Sequence, residues 1–163
     1  MNIMQVPKQI VSPQSNKPVM GIVQDSLIGC KILTERDNFL TLEQVNSLIM
    51  WIDDFDIREL PIPCIMKPVP LWSGKQIFSL ILPEKLNLTR FREDTPEDLA
   101  DKLNLMDNYV QIRKGELIQG IICKKTVGTS SGGIVRNIWT EVSPQKTIEF
   151  LGNCQKLVKI IFY

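Results

Sequence analysis

Between residues 61 and 70 the chain carries four prolines, Pro61, Pro63, Pro68 and Pro70. Each locks its own φ, withholds a backbone donor and pushes the preceding residue out of the helical region. No regular helix can cross this stretch. A second proline group, Pro7, Pro13 and Pro18, lies among polar side chains and predicts an extended or turning segment near the start.

Helical signals stand on either side. Pro18 suits the first turn of a helix with Asn16 as its cap, predicting a helix over 18–31 that buries Ile22, Val23, Leu27 and Cys30. Gly21 and Gly29 weaken that helix, since interior glycine costs about 1 kcal/mol against alanine. Thr41 with Gln44 three residues on fits a capping box, and Leu42, Val45, Leu48, Ile49 and Ile52 recur at helical spacing behind it. The acidic run Asp53-Asp54-Phe55-Asp56 ends that helix. Near the other end, Ser143-Pro144 caps a final helix with apolar positions at Ile148, Leu151, Val158, Ile161 and Phe162. It still reads apolar at Ile160-Ile161-Phe162-Tyr163 with no stop signal, so a helix truncated near 163, or docked into something larger, is expected.

The middle predicts strands. Residues 77–82 form a short apolar run closed by Pro83, and residues 86–89 alternate at period two. Residues 92–108 are polar and acidic and read as a loop. Residues 109–112 and 117–123 flank Lys114-Gly115, a hairpin turn, and a loop over 126–133 leads to Ile134–Trp139. The fold expected is α+β, with segregated helices and a small, mostly antiparallel sheet.

Bulk properties exclude several functions. The chain has 163 residues, enough for one domain with its own core. No stretch approaches the roughly 18 consecutive apolar residues of a membrane span, and the start lacks a signal-peptide pattern. With 19 basic against 18 acidic residues the net charge is +1, which argues against binding nucleic acid by bulk charge but leaves room for a few aimed cations. Cys30, Cys64, Cys123 and Cys154 are widely spaced and histidine is absent. Zinc sites need close Cys or Cys/His pairs, so buried free thiols are expected and no metal site is assigned. Without histidine the usual general base near neutral pH is missing too.

The loop Gly128-Thr-Ser-Ser-Gly-Gly133 follows Lys124-Lys125, whereas a phosphate-binding P-loop places its lysine after the glycines. It therefore reads as a flexible turn beside two lysines. Acidic clusters at 53–59 and 93–101 read as solvated loops rather than metal or acid–base sites. Trp51, Trp72 and Trp139 read as core anchors rather than base-stacking platforms. Lys67, Lys75, Lys124, Lys125 and Arg136 would make a basic path if they met on one face. No catalytic set is visible.

Four segments say more. Residues 9–25 (Gln-Ile-Val-Ser-Pro-Gln-Ser-Asn-Lys-Pro-Val-Met-Gly-Ile-Val-Gln-Asp), residues 67–77 (Lys-Pro-Val-Pro-Leu-Trp-Ser-Gly-Lys-Gln-Ile), residues 115–133 with Cys-Lys-Lys-Thr-Val-Gly-Thr-Ser-Ser-Gly-Gly, and Asn153-Cys-Gln-Lys-Leu-Val158 occur in this order. In wording, order and spacing they resemble the largest subunit of eukaryotic-type multisubunit RNA polymerases, most closely that of RNA polymerase II. The resemblance covers nearly the whole chain. Residues 92–108 match only loosely.

The resemblance implies that residues 1–163 are an internal segment of a larger multidomain subunit, its pore-domain region. This region lines the channel for nucleotide entry and RNA 3′-end extrusion. Lys124 and Lys125 are then candidates for RNA contact through phosphates, set against a plain reading as surface charge. Lys75 and Gln76 are weaker pore-lining candidates, and Asn16 and Lys17 would support the neighbouring catalytic domain. The family holds Mg²⁺ with an Asn-Ala-Asp-Phe-Asp-Gly-Asp motif, which this sequence lacks. Mg²⁺ and structural Zn²⁺ would belong to the parent subunit, and this chain alone would bind neither and be inactive. Implied partners are the other polymerase subunits, the RNA 3′ end, nucleotides and the DNA template, with no membrane. The implied location is the nucleus, or the cytoplasm for a viral polymerase. The rival reading is a stand-alone, non-catalytic module that binds polymerase or an elongation factor; a partial gene product without function is a third.

Overall fold

A computed structural model describes residues 4–53, 55, 60–91 and 107–161. Its described elements are helices and three small antiparallel sheets, the α+β class expected. The helices are α1 (Val6–Gln9), α2 (Gln24–Leu33), α3 (Leu42–Ile49), α4 (Gly74–Ser79), α5 (Lys124–Val127), α6 (Ile134–Asn137) and α7 (Pro144–Ile161), with a π-helical turn, Ile138–Val142, between the last two.

The core gathers around α7. Phe150, Cys154, Leu157 and Val158 are buried on one side of it and meet Gly29, Cys30 and Leu33 of α2 and Val45, Leu48 and Ile49 of α3. Helices α2 and α7 approach closely because Gly29 has no side chain: a Cβ there would lie 2.3 Å from Val158 Cγ1. Phe150 stands edge-on to Phe78 of α4, with ring centroids 6.4 Å apart and planes at 88°, a preferred aromatic geometry. Full burial of each ring contributes about 1.5–3 kcal/mol. Of the apolar positions expected on this helix, Val158 is buried and Ile148, Leu151 and Ile161 are half-buried, while Phe162 lies outside the described residues. Phe150 and Leu157, also buried on this helix, are ones the sequence reading passed over.

Strands β1 (Val11–Ser12) and β2 (Lys17–Pro18) form a short hairpin, and β3 (Phe39–Thr41) pairs antiparallel with β4 (Leu71–Ser73). The third sheet runs β5 (Leu88–Phe91), β6 (Tyr109–Arg113), β7 (Glu116–Gln119). Lys114 and Gly115, with φ of 50° and 76°, make the two-residue turn between β6 and β7, the positive-φ geometry that matches the strands' twist. Strand β7 ends at Gln119, short of the 123 expected.

Other expectations are corrected. The predicted helix over 18–31 starts at Gln24, and Pro18 belongs to β2. Asn16 is no cap; with φ of 51° it turns the β1–β2 hairpin. Residues 19–23 are not helical: Ile22 N–H donates to the Val127 carbonyl (3.0 Å) instead of to a helical partner. Val23 is consequently exposed. Residues 77–82 hold no strand: Ser73 and Gln76 form a capping box that starts α4. The helix at Thr41 forms with its capping box, and Ser143 Oγ accepts from Lys146 N–H at the start of α7 (3.1 Å).

Trp72 is buried, its Nε1–H donating to the Pro61 carbonyl (2.7 Å), and half-buried Trp139 donates to Pro7 (2.8 Å). Trp51 is 56% exposed and anchors nothing in the core. All four cysteines are free, but only Cys30 and Cys154 are buried; Cys64 is exposed and Cys123 half-buried. The acidic cluster at 93–101 and most of that at 53–59 lie outside the described residues.

Candidate nucleic-acid interface

Lys124 and Lys125 are the first two residues of α5. This single turn would be marginal in water alone, and buried hydrogen bonds tie it down. Thr126, fully buried, accepts from Cys123 N–H through Oγ1 (2.9 Å) and donates to the Cys123 carbonyl (2.7 Å). Thr34, also fully buried, accepts from Ile122 N–H (3.0 Å) while donating to the Cys30 carbonyl (2.8 Å), so the end of α2 fixes the approach to the lysines. Val127 accepts from Ile22, and Gly128 N–H closes the turn on the Lys124 carbonyl (2.8 Å).

The result is a buried, hydrogen-bonded base for two cationic side chains. Lys124 is exposed and Lys125 half-buried. The glycine-rich loop that follows is ordered by its own contacts: Ser130 Oγ donates to the Lys125 carbonyl and accepts from Arg90 Nη1 (3.1 Å). Gly133 then leads into α6, where Arg136 Nε donates to Asn16 Oδ1 (3.4 Å). Asn16 and its exposed neighbour Lys17 therefore sit beside α6, so the first and third of the family-like segments meet.

Lys75 and Gln76 lie elsewhere, on α4, and both have internal partners. Lys75 Nζ is ion-paired with Asp107 Oδ2, with side chains 16% and 12% exposed. Gln76 accepts from Ser73 N–H (3.1 Å) and donates to the Ile62 carbonyl (2.9 Å), tethering the proline-rich segment to α4. Lys67 is exposed in that segment. Of the five cations of the supposed basic path, only Lys124, Lys125 and Arg136 share the glycine-loop neighbourhood.

Arg90 and Thr34 were missed. Each acts through a contact distant in sequence, 40 residues for Arg90–Ser130 and 88 for Thr34–Ile122. No local spacing announces such pairs.

The magnesium ion implied by the family needs converging carboxylates. Among the described residues no group of three or more His, Cys, Asp or Glu side chains could hold a metal ion. These residues do not fit Mg²⁺ or Zn²⁺, and no chemical step is derived through either. Among the described residues no helix is long and apolar enough to cross a membrane.

An α+β fold centred on α7 that carries a tethered double-lysine turn has relatives among transcription enzymes. The chain belongs to the family described as RNA polymerase Rpb1, domain 3, whose model matches residues 9–162. It is 42% identical over 155 residues to the DNA-directed RNA polymerase II subunit RPB1-B of Trypanosoma brucei brucei, a match covering 95% of this chain and 8% of that protein. The chain thus spans a small part of that relative's length. Both findings agree with the sequence resemblance to the RNA polymerase II largest subunit.

Proposed function

We propose that this chain serves as the pore-lining region of the largest subunit of a DNA-directed RNA polymerase of the polymerase II type. In the assembled enzyme it borders the path of incoming nucleotides and of the RNA 3′ end. Nucleotidyl transfer on a DNA template belongs to the whole complex in this reading, and the carboxylates that bind catalytic metal lie outside this chain. Other polymerase subunits are its partners and the nucleus its location.

Lys124 and Lys125 would contact RNA phosphates. The supporting observation is the buried tethering of their turn through Thr126, Thr34 and Val127. A surface lysine pair of no consequence needs no such base, whereas a phosphate contact gains from pre-organisation. Two ammonium groups engage a passing backbone without reading sequence. Lys75 and Gln76 would border the pore as supports, since their polar atoms are engaged inside the domain. Asn16 and Lys17 would brace the neighbouring catalytic domain, with Arg136 holding Asn16 in place.

The test is polymerase assembled with Lys124→Gln/Lys125→Gln. On complexes halted and driven backward, the variant should lose occupancy of the extruded RNA 3′ end, read by crosslinking from a photoreactive 3′ nucleotide. Undiminished crosslinking to this region would sink the contact role. The isolated chain should not extend an RNA primer on a template; extension would overturn the division of labour.

A further inference from the structure

We propose that Arg90 is a third phosphate-contacting cation of the glycine-rich loop, engaging single-stranded RNA beside Lys124 and Lys125. The proposal rests on the nucleic-acid reading of the lysine turn and extends it to a residue on a different element.

Arg90 projects from β5, opposite Val110 of β6. Its guanidinium lies against the loop's backbone: a Cβ on Gly132 would be 3.0 Å from Nη1, 3.5 Å from Cζ and 3.8 Å from Nη2. At the loop's other end, a Cβ on Gly128 would be 3.3 Å from Lys124 Cγ. Bare glycines thus let two cationic side chains lie on one short loop. Four residue steps separate Gly128 from Gly132, a span of at most about 14 Å, short enough for one RNA strand to meet both.

The charge balance points the same way. Ion pairs among the described residues are Lys75–Asp107, Lys146–Glu149 and Lys156–Asp53, and Arg90 is in none of them. A guanidinium has five N–H donors; the described residues engage one, Nη1, through Ser130 Oγ. A half-buried, always-charged fork with further donors that no described residue engages suits a phosphate, which it can hold in bidentate fashion. Ser130 links the two ends, holding Arg90 while donating to the Lys125 carbonyl.

The rival role is a latch, in which Arg90 only orders the loop. Salt dependence separates the two. Binding of a fluorescent 12-nucleotide oligouridylate to the 163-residue chain is measured by anisotropy across KCl concentrations. Each phosphate contact on a single strand contributes about −0.7 to the slope of log K against log salt. Arg90→Gln should reduce the slope's magnitude by about 0.7, while Arg90→Lys and Ser130→Ala should leave it unchanged. An unchanged slope in Arg90→Gln, or an equal drop in Ser130→Ala, overturns the proposal in favour of the latch.

Lys124→Gln/Lys125→Gln tests the parent reading separately, with a reduction of about 1.4 expected. Loss in that variant with none in Arg90→Gln leaves the lysine reading standing and removes Arg90, and the reverse pattern removes the lysines. No salt-dependent binding by the wild-type chain overturns both. Should Arg90→Gln fail to fold, phenylglyoxal modification of the wild-type chain decides: RNA should protect Arg90, and unprotected Arg90 overturns the proposal.

Discussion

Gly21 and Gly128 meet backbone to backbone: a Cβ on Gly21 would stand 2.8 Å from the Gly128 carbonyl carbon and 3.0 Å from its Cα. The adjoining hydrogen bond from Ile22 to Val127 fixes the same approach. Two segments more than a hundred residues apart thus share one seam, and the lysine turn rests on it.

Gly21→Ala should open that seam. The added methyl faces backbone, which cannot rotate away, so the cost should be about 1–3 kcal/mol, in the range of overpacking. Urea unfolding measures it, and a loss within the roughly 0.5 kcal/mol of ordinary surface substitutions would contradict the seam.

Lys124→Gln/Lys125→Gln should leave the fold intact, because exposed Lys124 and half-buried Lys125 enter no ion pair among the described residues. Its unfolding midpoint in urea should match the wild type while RNA affinity at low salt falls. A clear loss of stability instead would make the lysines structural.

Thr34→Val tests the tether from α2. It keeps the shape but leaves Ile122 N–H without its hydroxyl acceptor in a buried place, at about 1–3 kcal/mol. Amide exchange at Ile122 should quicken in step, and unchanged exchange would show that the bond carries little.

Burial pushes the Cys154 thiol well above its ordinary pKa, and hydrogen bonding and charge interaction with the adjacent Cys30 thiol add to the rise. The fold therefore favours the protonated thiol. In the unfolded chain that thiol ionises near about pH 8.5, so this group's stabilisation is complete below that pH and lost as pH climbs toward the folded value. Unfolding free energy should decline above about pH 8.5, by at most about 1.4 kcal/mol per pH unit from this group. Cys154→Ser, which does not titrate there, should flatten the decline; an equal decline in both proteins would refute the assignment.

Legibility in the sequence followed the range of the interaction. The Thr41–Gln44 box, the Lys114-Gly115 turn and the Ser143 cap are decided within four residues, and each forms as read. The equivalent Ser73–Gln76 signal was overshadowed by the apolar run after it, which suits a buried helix turn as well as a strand. Helix α2 starts late because a partner 105 residues away, Val127, takes the Ile22 donor. Similarly, Lys75 read as a free cation until Asp107 came beside it. Of the proposed contacts, the lysine pair was legible through its resemblance, but Arg90 depends on a strand and a loop meeting in space.

The placement of α7 bears on how the chain is made. The helix that fills the middle of the core is the last described element to be synthesised, while α2 and α3, which pack on it, emerge much earlier. At roughly 5–20 residues per second on a ribosome, the apolar sides of α2 and α3 wait about 5–25 seconds for Phe150, Leu157 and Val158. During that interval those sides lack the cover that α7 gives them, and α2 has only α4 of its helical neighbours to pack on.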